Sequence, residues 1–311
     1  MNPKISIIIP AYNREDTIHF ALDSLLRQTF QDFEVIIIDD GSTDNTAKIV
    51  EMYKRSNFKY IYQENSGVSV ARNKGIDLAS GEVICFLDSD DFYEDTFLEK
   101  MYSKIKTKNF DICYCGYFIV TSKEKKKCKT LFKEGDILID YILDRVKVCT
   151  NSWMIRKKLI DKYNICFPEN VSWGEDMEFF SEVLSKTDRI CFVNEYLTNY
   201  VFHEDDNRLS TFSLDKLDKD FDFINRLIIK LKANKNPLLK KALVDYRLSA
   251  LITYRLYNSL KIGLNKKDII KYFNKYLNLI KVFNFNNGLR SIKLNIIKIL
   301  LILKIRNFKK D

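Results

Sequence analysis

Three carboxylates crowd the end of one apolar run. In CFLDSDDFY, residues 85–93, Asp88, Asp90 and Asp91 close the run VICFL, which reads as a buried strand. Like charges so close repel one another unless a cation lies between or near them. A hard divalent ion bridging carboxylate and diphosphate oxygens would remove that repulsion, whereas an acidic loop facing water is the plainer reading of any lone Asp-x-Asp. On a strand, Asp88 and Asp90 would point the same way. A second acidic pair, Glu175 and Asp176, stands in VSWGEDMEFF, where Gly174 breaks the chain and a helix follows. Acids suit a first helical turn, and a carboxylate fixed there can also serve as a general base if burial offsets the lowering of its pKa by the helix dipole.

The elements that must position these groups are strands alternating with helices. ISIII (5–9), EVIIID (34–39), FKYIY (58–62) and VICFLD (83–88) are short, β-branched and continuously apolar, the pattern of strands covered on both faces. Between them, Ile18, Leu22, Leu25 and Leu26 recur at helical spacing after Asn13, the expected N-cap, and GSTDNTAKIVEMY offers Ser42 as the cap of a second helix. Such alternation predicts a mainly parallel sheet with helices on both faces, and ligands of such sheets bind outside the carboxyl ends of the strands. Those ends carry PAYNRE, where Pro10 is expected to stop the first strand and Tyr12 offers a flat face for a base; DDGSTD, which also reads as a turn with a cap; and QENSGVSVARNKGI, where Arg72 opens a helix and could meet a phosphate or simply be solvated. Neither GxGxxG nor GxxxxGK[ST] occurs, so a bound nucleotide needs another phosphate cradle, and the Asp88–Asp91 stretch is the candidate.

Taken in order, SIIIPAYN, VIIIDDGSTDNT, NSGVSVARNKGI, GEVICFLDSDDFY and WGEDMEFF resemble the family 2 glycosyltransferases over about residues 4–205. The resemblance implies a GT-A nucleotide-diphospho-sugar transferase fold and inverting transfer from a nucleotide-activated sugar, here expected to be a UDP-sugar, in cell-surface polysaccharide or glycan synthesis. It implies donor contacts at Pro10, Ala11, Tyr12, Asp40, Arg72, Asp88 and Ser89. It further implies Mn²⁺ or Mg²⁺ at Asp90, completed by His203, with Asp176 as the catalytic base and Glu175 as its one competitor. Trp153 and Trp173, in CTNSWMIRKKLI and ICFPENVSWGED, match the acceptor side of bacterial members, where each could stack on a sugar or belong to the core. His19, inside the first expected helix, reads as structural. The chemistry is coherent: a cation stabilises the leaving diphosphate, one carboxylate takes the acceptor's proton, and a single in-line step inverts the anomeric carbon, unlike glycoside hydrolysis with its two flanking carboxylates.

Beyond about residue 210 the composition turns to Leu, Ile and Lys at helical periodicity, so the chain divides into an expected catalytic domain, 1–210, and a helical region, 211–311, associated with acceptor or membrane. Its last stretch, LRSIKLNIIKILLILKIRNFKK, is interrupted too often by lysine to span a bilayer. Arg290, Lys293 and Lys304 cluster on one side of an ideal helix, opposite many Ile and Leu. Such a helix fits either peripheral contact with a membrane or packing on the protein's own core. The net charge of +9 comes with no helix-turn-helix, zinc-finger or RNP-like signature, so no nucleic-acid partner is expected. Seven cysteines at irregular spacing argue for reduced thiols rather than a secreted disulfide framework. The short apolar start closed by Pro10 is not a signal-peptide core, and a cytoplasmic location, free or at the inner face of the cell membrane, is the expectation. Two rival readings fit the same residues: a nucleotidyltransferase of sugar-phosphate metabolism, and a non-catalytic scaffold that binds sugar nucleotides.

Overall fold

The computed structural model describes residues 2–171, 173–202, 213–285 and 287–308. The chain packs as two units: one holds most residues through the end of the ninth strand, and the other joins Ile139–Asp144 to the C-terminal helices.

In the first unit, β1 (Ile5–Ala11), β2 (Phe33–Asp40), β3 (Phe58–Gln63) and β4 (Val83–Phe86) are joined by α1 (Ile18–Leu26), α2 (Thr46–Met52) and α3 (Val68–Leu78). These four strands are parallel, in the order β3-β2-β1-β4, and the register Ile7↔Val35 and Ile7↔Cys85 places apolar residues side by side across the ladder. Both faces of β1 and β2 are buried, as their unbroken hydrophobic runs require. The sheet continues through β8 (Trp153–Arg156), antiparallel to both β4 and β6 (Ile112–Val120). Beyond β6 come β9 (Ile190–Val201), parallel to it, and β5 (Phe92–Tyr93), antiparallel to β9; β7 (Lys125–Lys127) pairs with the end of β6. The sheet is thus parallel in one half and mixed in the other. Helices α4 (Phe97–Thr107), α6 (Lys157–Tyr163) and α7 (Glu175–Leu184) complete this unit, while α5 (Leu138–Ile142), between β7 and β8 in the chain, belongs but for Leu138 to the second.

Three local expectations are corrected. Pro10 does not stop β1, which runs to Ala11. Alternate residues of a parallel strand bond to the same neighbour, and the Ile8 carbonyl already accepts from Leu87 N–H on the β4 side, just where β4 has ended. Pro10 therefore faces a position where no ladder partner needs its missing N–H. Strand β4 ends at Phe86 rather than Asp88, and a turn closed by the Asp91 N–H on the Asp88 carbonyl takes over, so strand alternation does not govern the aspartates. The caps also shift: Thr17 and Asn45, not Asn13 and Ser42, precede α1 and α2. Asn13 and Ser42 instead bind each other's loops. The Asn13 N–H donates to Ser42 Oγ (2.9 Å), the Thr43 N–H to Asn13 Oδ1 (2.9 Å), and Glu15 Oε2 accepts from the Asn45 N–H (2.9 Å). Two strand-end loops are thereby locked together at the carboxyl edge.

In the second unit α8 (Lys216–Lys230), α9 (Pro237–Lys241), a π-helical turn (Ala242–Leu248), α10 (Ser249–Lys261), α11 (Lys266–Lys275), α12 (Leu277–Lys281) and α13 (Gly288–Phe308) pack around Leu217, Leu243, Leu256 and Leu294. Pro237 stands in the first turn of α9, capped by the Asn236 side chain, where its missing N–H is not needed.

Candidate active site

Helix α3 approaches the sheet at Gly75, where a Cβ would come within 2.3 Å of Ile8 Cγ2. Only glycine lets the helix lie so close, and one turn earlier this carries Arg72 to the carboxyl edge of the strands. Arg72 is buried, not solvated. Its guanidinium lies 5.1 Å from the centre of the Phe167 ring, and its two terminal nitrogens reach different carboxylates: Nη1 donates to Asp176 (2.6 Å) and Nη2 to Asp88 (2.8 Å). Burial would weaken its charge, yet Asp176 and then Asp88 outweigh that and hold its pKa above the usual arginine value.

The residue at the other end of this bridge is fixed by α7. Gly174 takes a left-handed conformation (φ +80°) that starts the helix at Glu175. Three and four residues beyond Asp176, Phe179 and Phe180 pack in an aromatic cluster, Phe179 stacked on Phe167 at 3.9 Å and Phe180 on Trp153 at 5.2 Å. Residues at that spacing share a helix face, so the cluster turns Asp176 towards Arg72. Thr150, on a 3₁₀ turn before β8, donates its hydroxyl to the other Asp176 oxygen (2.9 Å). The Asp176 carboxyl is pushed up from its ordinary value, first by withdrawal from water and then by the Asp88 charge, while Arg72 and the Thr150 hydroxyl act against the rise. Glu175 is pushed up likewise, by burial and by Asp176.

The aspartates of the turn divide by environment. Asp88 and Asp90 keep 28% and 33% of their side chains exposed, with Arg14 as near as 3.9 Å to Asp90, whereas Asp91 is buried. Asp91 accepts the Val201 N–H (2.7 Å) and the Asn151 amide (2.5 Å), and Asn151 Oδ1 in turn accepts the Asp88 N–H (2.8 Å). Burial, together with Asp88 and Asp90, raises the Asp91 carboxyl well above its ordinary value. Asp91 therefore ties the turn to β9 while the other two carboxylates stay part-exposed, Asp88 on Arg72. Ser89 lies buried in the same turn.

Tyr12, beyond buried Pro10 and Ala11, leaves 47% of its surface exposed. Asp40 is enclosed, accepting Gln63 Nε2 (2.7 Å) and the N–H groups of Ser66 (2.8 Å) and Gly67 (2.8 Å), so it shapes the loop that precedes α3. Trp153 requires correction as an acceptor platform. It is 1% exposed and part of the aromatic core, so it has no face to offer a sugar. Trp173 is half-buried next to Gly174, and His19 is half-buried beside Phe20. His203 lies outside the described residues. Thr150, Asn151 and Phe167 were not singled out in the sequence. Thr150 and Asn151 fall within CTNSWMIRKKLI, but polar residues before a strand give no sign of carboxylates 26 and 60 positions away.

A sheet whose carboxyl edge carries an acidic turn, joined through a buried arginine to a carboxylate at a helix start, defines this chain as a GT-A type α/β protein. It belongs to glycosyl transferase family 2, whose model matches residues 6–163. Poly(ribitol-phosphate) beta-N-acetylglucosaminyltransferase TarP of Staphylococcus aureus (strain N315) is 30% identical over 260 residues, 81% of this chain and 79% of that protein. EpsJ of Bacillus subtilis (strain 168), described as an uncharacterized glycosyltransferase, is 29% identical over 68% of this chain, which spans 64% of the length of EpsJ. The structure of S. aureus TarS 1–349 in complex with UDP-GlcNAc shares the fold, with a TM-score of 0.73 at 22% identity over 97% of this chain and 89% of that one.

Proposed function

We propose that this protein is a metal-dependent inverting glycosyltransferase that moves a sugar from a nucleoside-diphosphate donor to an acceptor hydroxyl on a glycan or lipid-linked molecule. The observation that carries the reading is the Arg72 bridge between Asp88 and Asp176. It joins the turn that would face a diphosphate to the carboxylate we propose as the base.

In this reading Tyr12 stacks on the base, with Pro10 and Ala11 lining the edge beside it. Asp40 orders the loop ahead of α3, Asp88 meets the ribose, and Ser89 backs the turn. Arg72, buried and held above its usual pKa, stays a cation at working pH, orients Asp176 and favours its ionised form. Asp176, raised by its surroundings, is the better proton acceptor for it and takes the acceptor's proton as the hydroxyl attacks from the face opposite the leaving group. Glu175, on the neighbouring helix position and pointing about 100° away, cannot reach the same hydroxyl and is assigned to holding the acceptor side. Trp173 lies beside it.

The donor set of the acidic turn fits a hard divalent cation. Among the described residues no three His, Cys, Asp or Glu side chains gather to hold an ion by themselves. That suits an ion that takes most of its ligands from phosphate oxygens and water and only one or two from the protein. Asp90, part-exposed on the turn, would hold it, with His203 as the second ligand the family resemblance suggests. When bound, Mn²⁺ or Mg²⁺ supplies neutralisation of the charge that develops on the departing diphosphate.

The TarS complex with UDP-GlcNAc supports a UDP-sugar as the donor, and the TarP relationship supports a role in cell-surface polymer synthesis. A cytoplasmic site of action, in contact with the membrane through the C-terminal helices, completes the proposal. The test is a panel of nucleotide sugars with Mn²⁺, read as nucleoside diphosphate released. Release with one or a few donors supports transfer, nucleoside triphosphate and sugar 1-phosphate formed from a nucleotide sugar and added pyrophosphate would indicate nucleotidyl transfer, and binding without turnover would indicate a scaffold.

A further inference from the structure

Helix α13 is turned the opposite way from a helix that simply packs its apolar side inward. Its buried positions are Ser291, Leu294, Asn295, Lys298, Leu301 and Ile305, half of them polar. Its exposed face carries Leu289, Ile292, Ile296, Ile299, Leu300 and Leu303, between 39% and 83% accessible. The polar inner residues fix this orientation. Asn295 Nδ2 donates to the buried Asn284 carbonyl (2.9 Å) and Lys298 Nζ to the Val282 carbonyl, so rolling the helix would take both buried side chains from their acceptors. Arg290 is exposed, as expected, and its guanidinium donates to the carbonyls of Leu143 and Asp144.

At 100° per residue the six aliphatic side chains form one stripe. Exposed Lys293 and Lys304 border it on one side and exposed Arg306 on the other. Residues 213–308 carry 21 lysines and arginines against six aspartates, a surplus of +15 in a chain whose total is +9. Two such surfaces repel each other, which disfavours a second copy as the occupant of the stripe. A nucleic acid would answer the charge but not the aliphatic side chains, which offer it neither hydrogen bonds nor stacking. An anionic bilayer answers both, with acyl chains for the stripe and headgroups for its rims. Among the described residues no helix is long and apolar enough to cross a membrane. We infer that the Leu289–Leu303 face of α13 lies in the plane of an anionic lipid surface, apolar stripe down and flanking cations in the headgroups. The inference specifies the membrane contact of the proposed function and does not depend on the catalytic reading, since vesicle binding needs neither donor nor base.

The test uses the full chain with neutral phosphatidylcholine vesicles and with vesicles containing phosphatidylglycerol, read by co-sedimentation. The wild-type protein is expected to bind the acidic vesicles and to leave the neutral ones unbound. The triple variant Ile292→Gln/Ile296→Gln/Ile299→Gln changes only exposed positions, so its circular dichroism should match wild type while binding is lost. Lys293→Gln/Lys304→Gln/Arg306→Gln should weaken binding by on the order of a hundredfold, at about fivefold for each basic residue near the surface. Wild-type protein that stays in the supernatant with acidic vesicles, or an isoleucine variant that sediments as wild type does, overturns the inference. So does self-association of the wild type that the isoleucine substitutions abolish, which would assign the face to a second copy.

Discussion

Lys298 has no accessible surface, and burial lowers its pKa from 10.5 to about 8, with Asp245 acting weakly the other way. In the unfolded chain the amine keeps its ordinary value. Below pH 8 both states are protonated and the folded state bears the cost of the buried charge. Between pH 8 and 10.5 the folded state sheds its proton while the unfolded state retains it, so the unfolded state binds more protons and stability rises with pH. The fall from 10.5 to about 8 corresponds to about 3 kcal/mol. Lys298→Met removes the titration. It also removes the donor to the Val282 carbonyl, a change that does not vary with pH. The pH-dependent part therefore isolates the charge from the packing. In urea unfolding followed by circular dichroism, the stability of wild type relative to Lys298→Met should climb by about 3 kcal/mol from pH 7 to 10.5. A difference that stays flat over this range would mean that Lys298 is solvated in the folded protein. The assigned orientation of α13, and with it the exposed aliphatic stripe, would then be wrong.

Further predictions concern the candidate active site. Asp90→Ala should abolish the gain in nucleoside-diphosphate affinity that Mn²⁺ brings, and calorimetry showing equal affinity with Mn²⁺ and with chelator in the wild type would remove the cation from the account. Thr150→Val takes away a hydrogen bond that lowers the Asp176 pKa, so the acid limb of the kcat/KM profile should move to higher pH; an unmoved limb would separate Thr150 from the base. Asn151→Leu breaks the link between Asp88 and buried Asp91 and should destabilise the fold by about 1–3 kcal/mol in thermal unfolding, because it leaves a buried carboxyl short of a donor.

The parallel half of the sheet is plain in the sequence because strands covered on both faces must be apolar throughout, and β1, β2 and β4 are. The mixed half is not. Strand β9 runs through buried, half-buried and exposed positions with no fixed alternation, and β6 is broken by a register shift at Gly116, so neither shows a clean period. The same limit applies within the candidate site. An isolated helical arginine reads as a surface charge until Asp176, 104 residues later, is known to be its neighbour. The start of α7 was legible, because Gly174 followed by acids is a local signal. For α13 both sides of the helix are aliphatic, so periodicity cannot say which side faces in; the bonds of Asn295 and Lys298 to residues 284 and 282 decide it.

In the proposed reaction Asp176 is the base of a glycosyl transfer whose donor is held elsewhere in the same site. Asp176→Asn keeps the shape of the side chain and, with its amide oxygen towards Arg72, can still accept from it while the amide N–H₂ donates to the Thr150 hydroxyl, but it cannot take up the acceptor's proton. With an active donor identified, the variant should bind nucleoside diphosphate with wild-type affinity in calorimetry while its turnover falls by about 10²- to 10⁴-fold, and Glu175→Gln should be the milder change. Near-normal turnover in Asp176→Asn at unchanged nucleotide affinity would place the base on another residue and contradict the account.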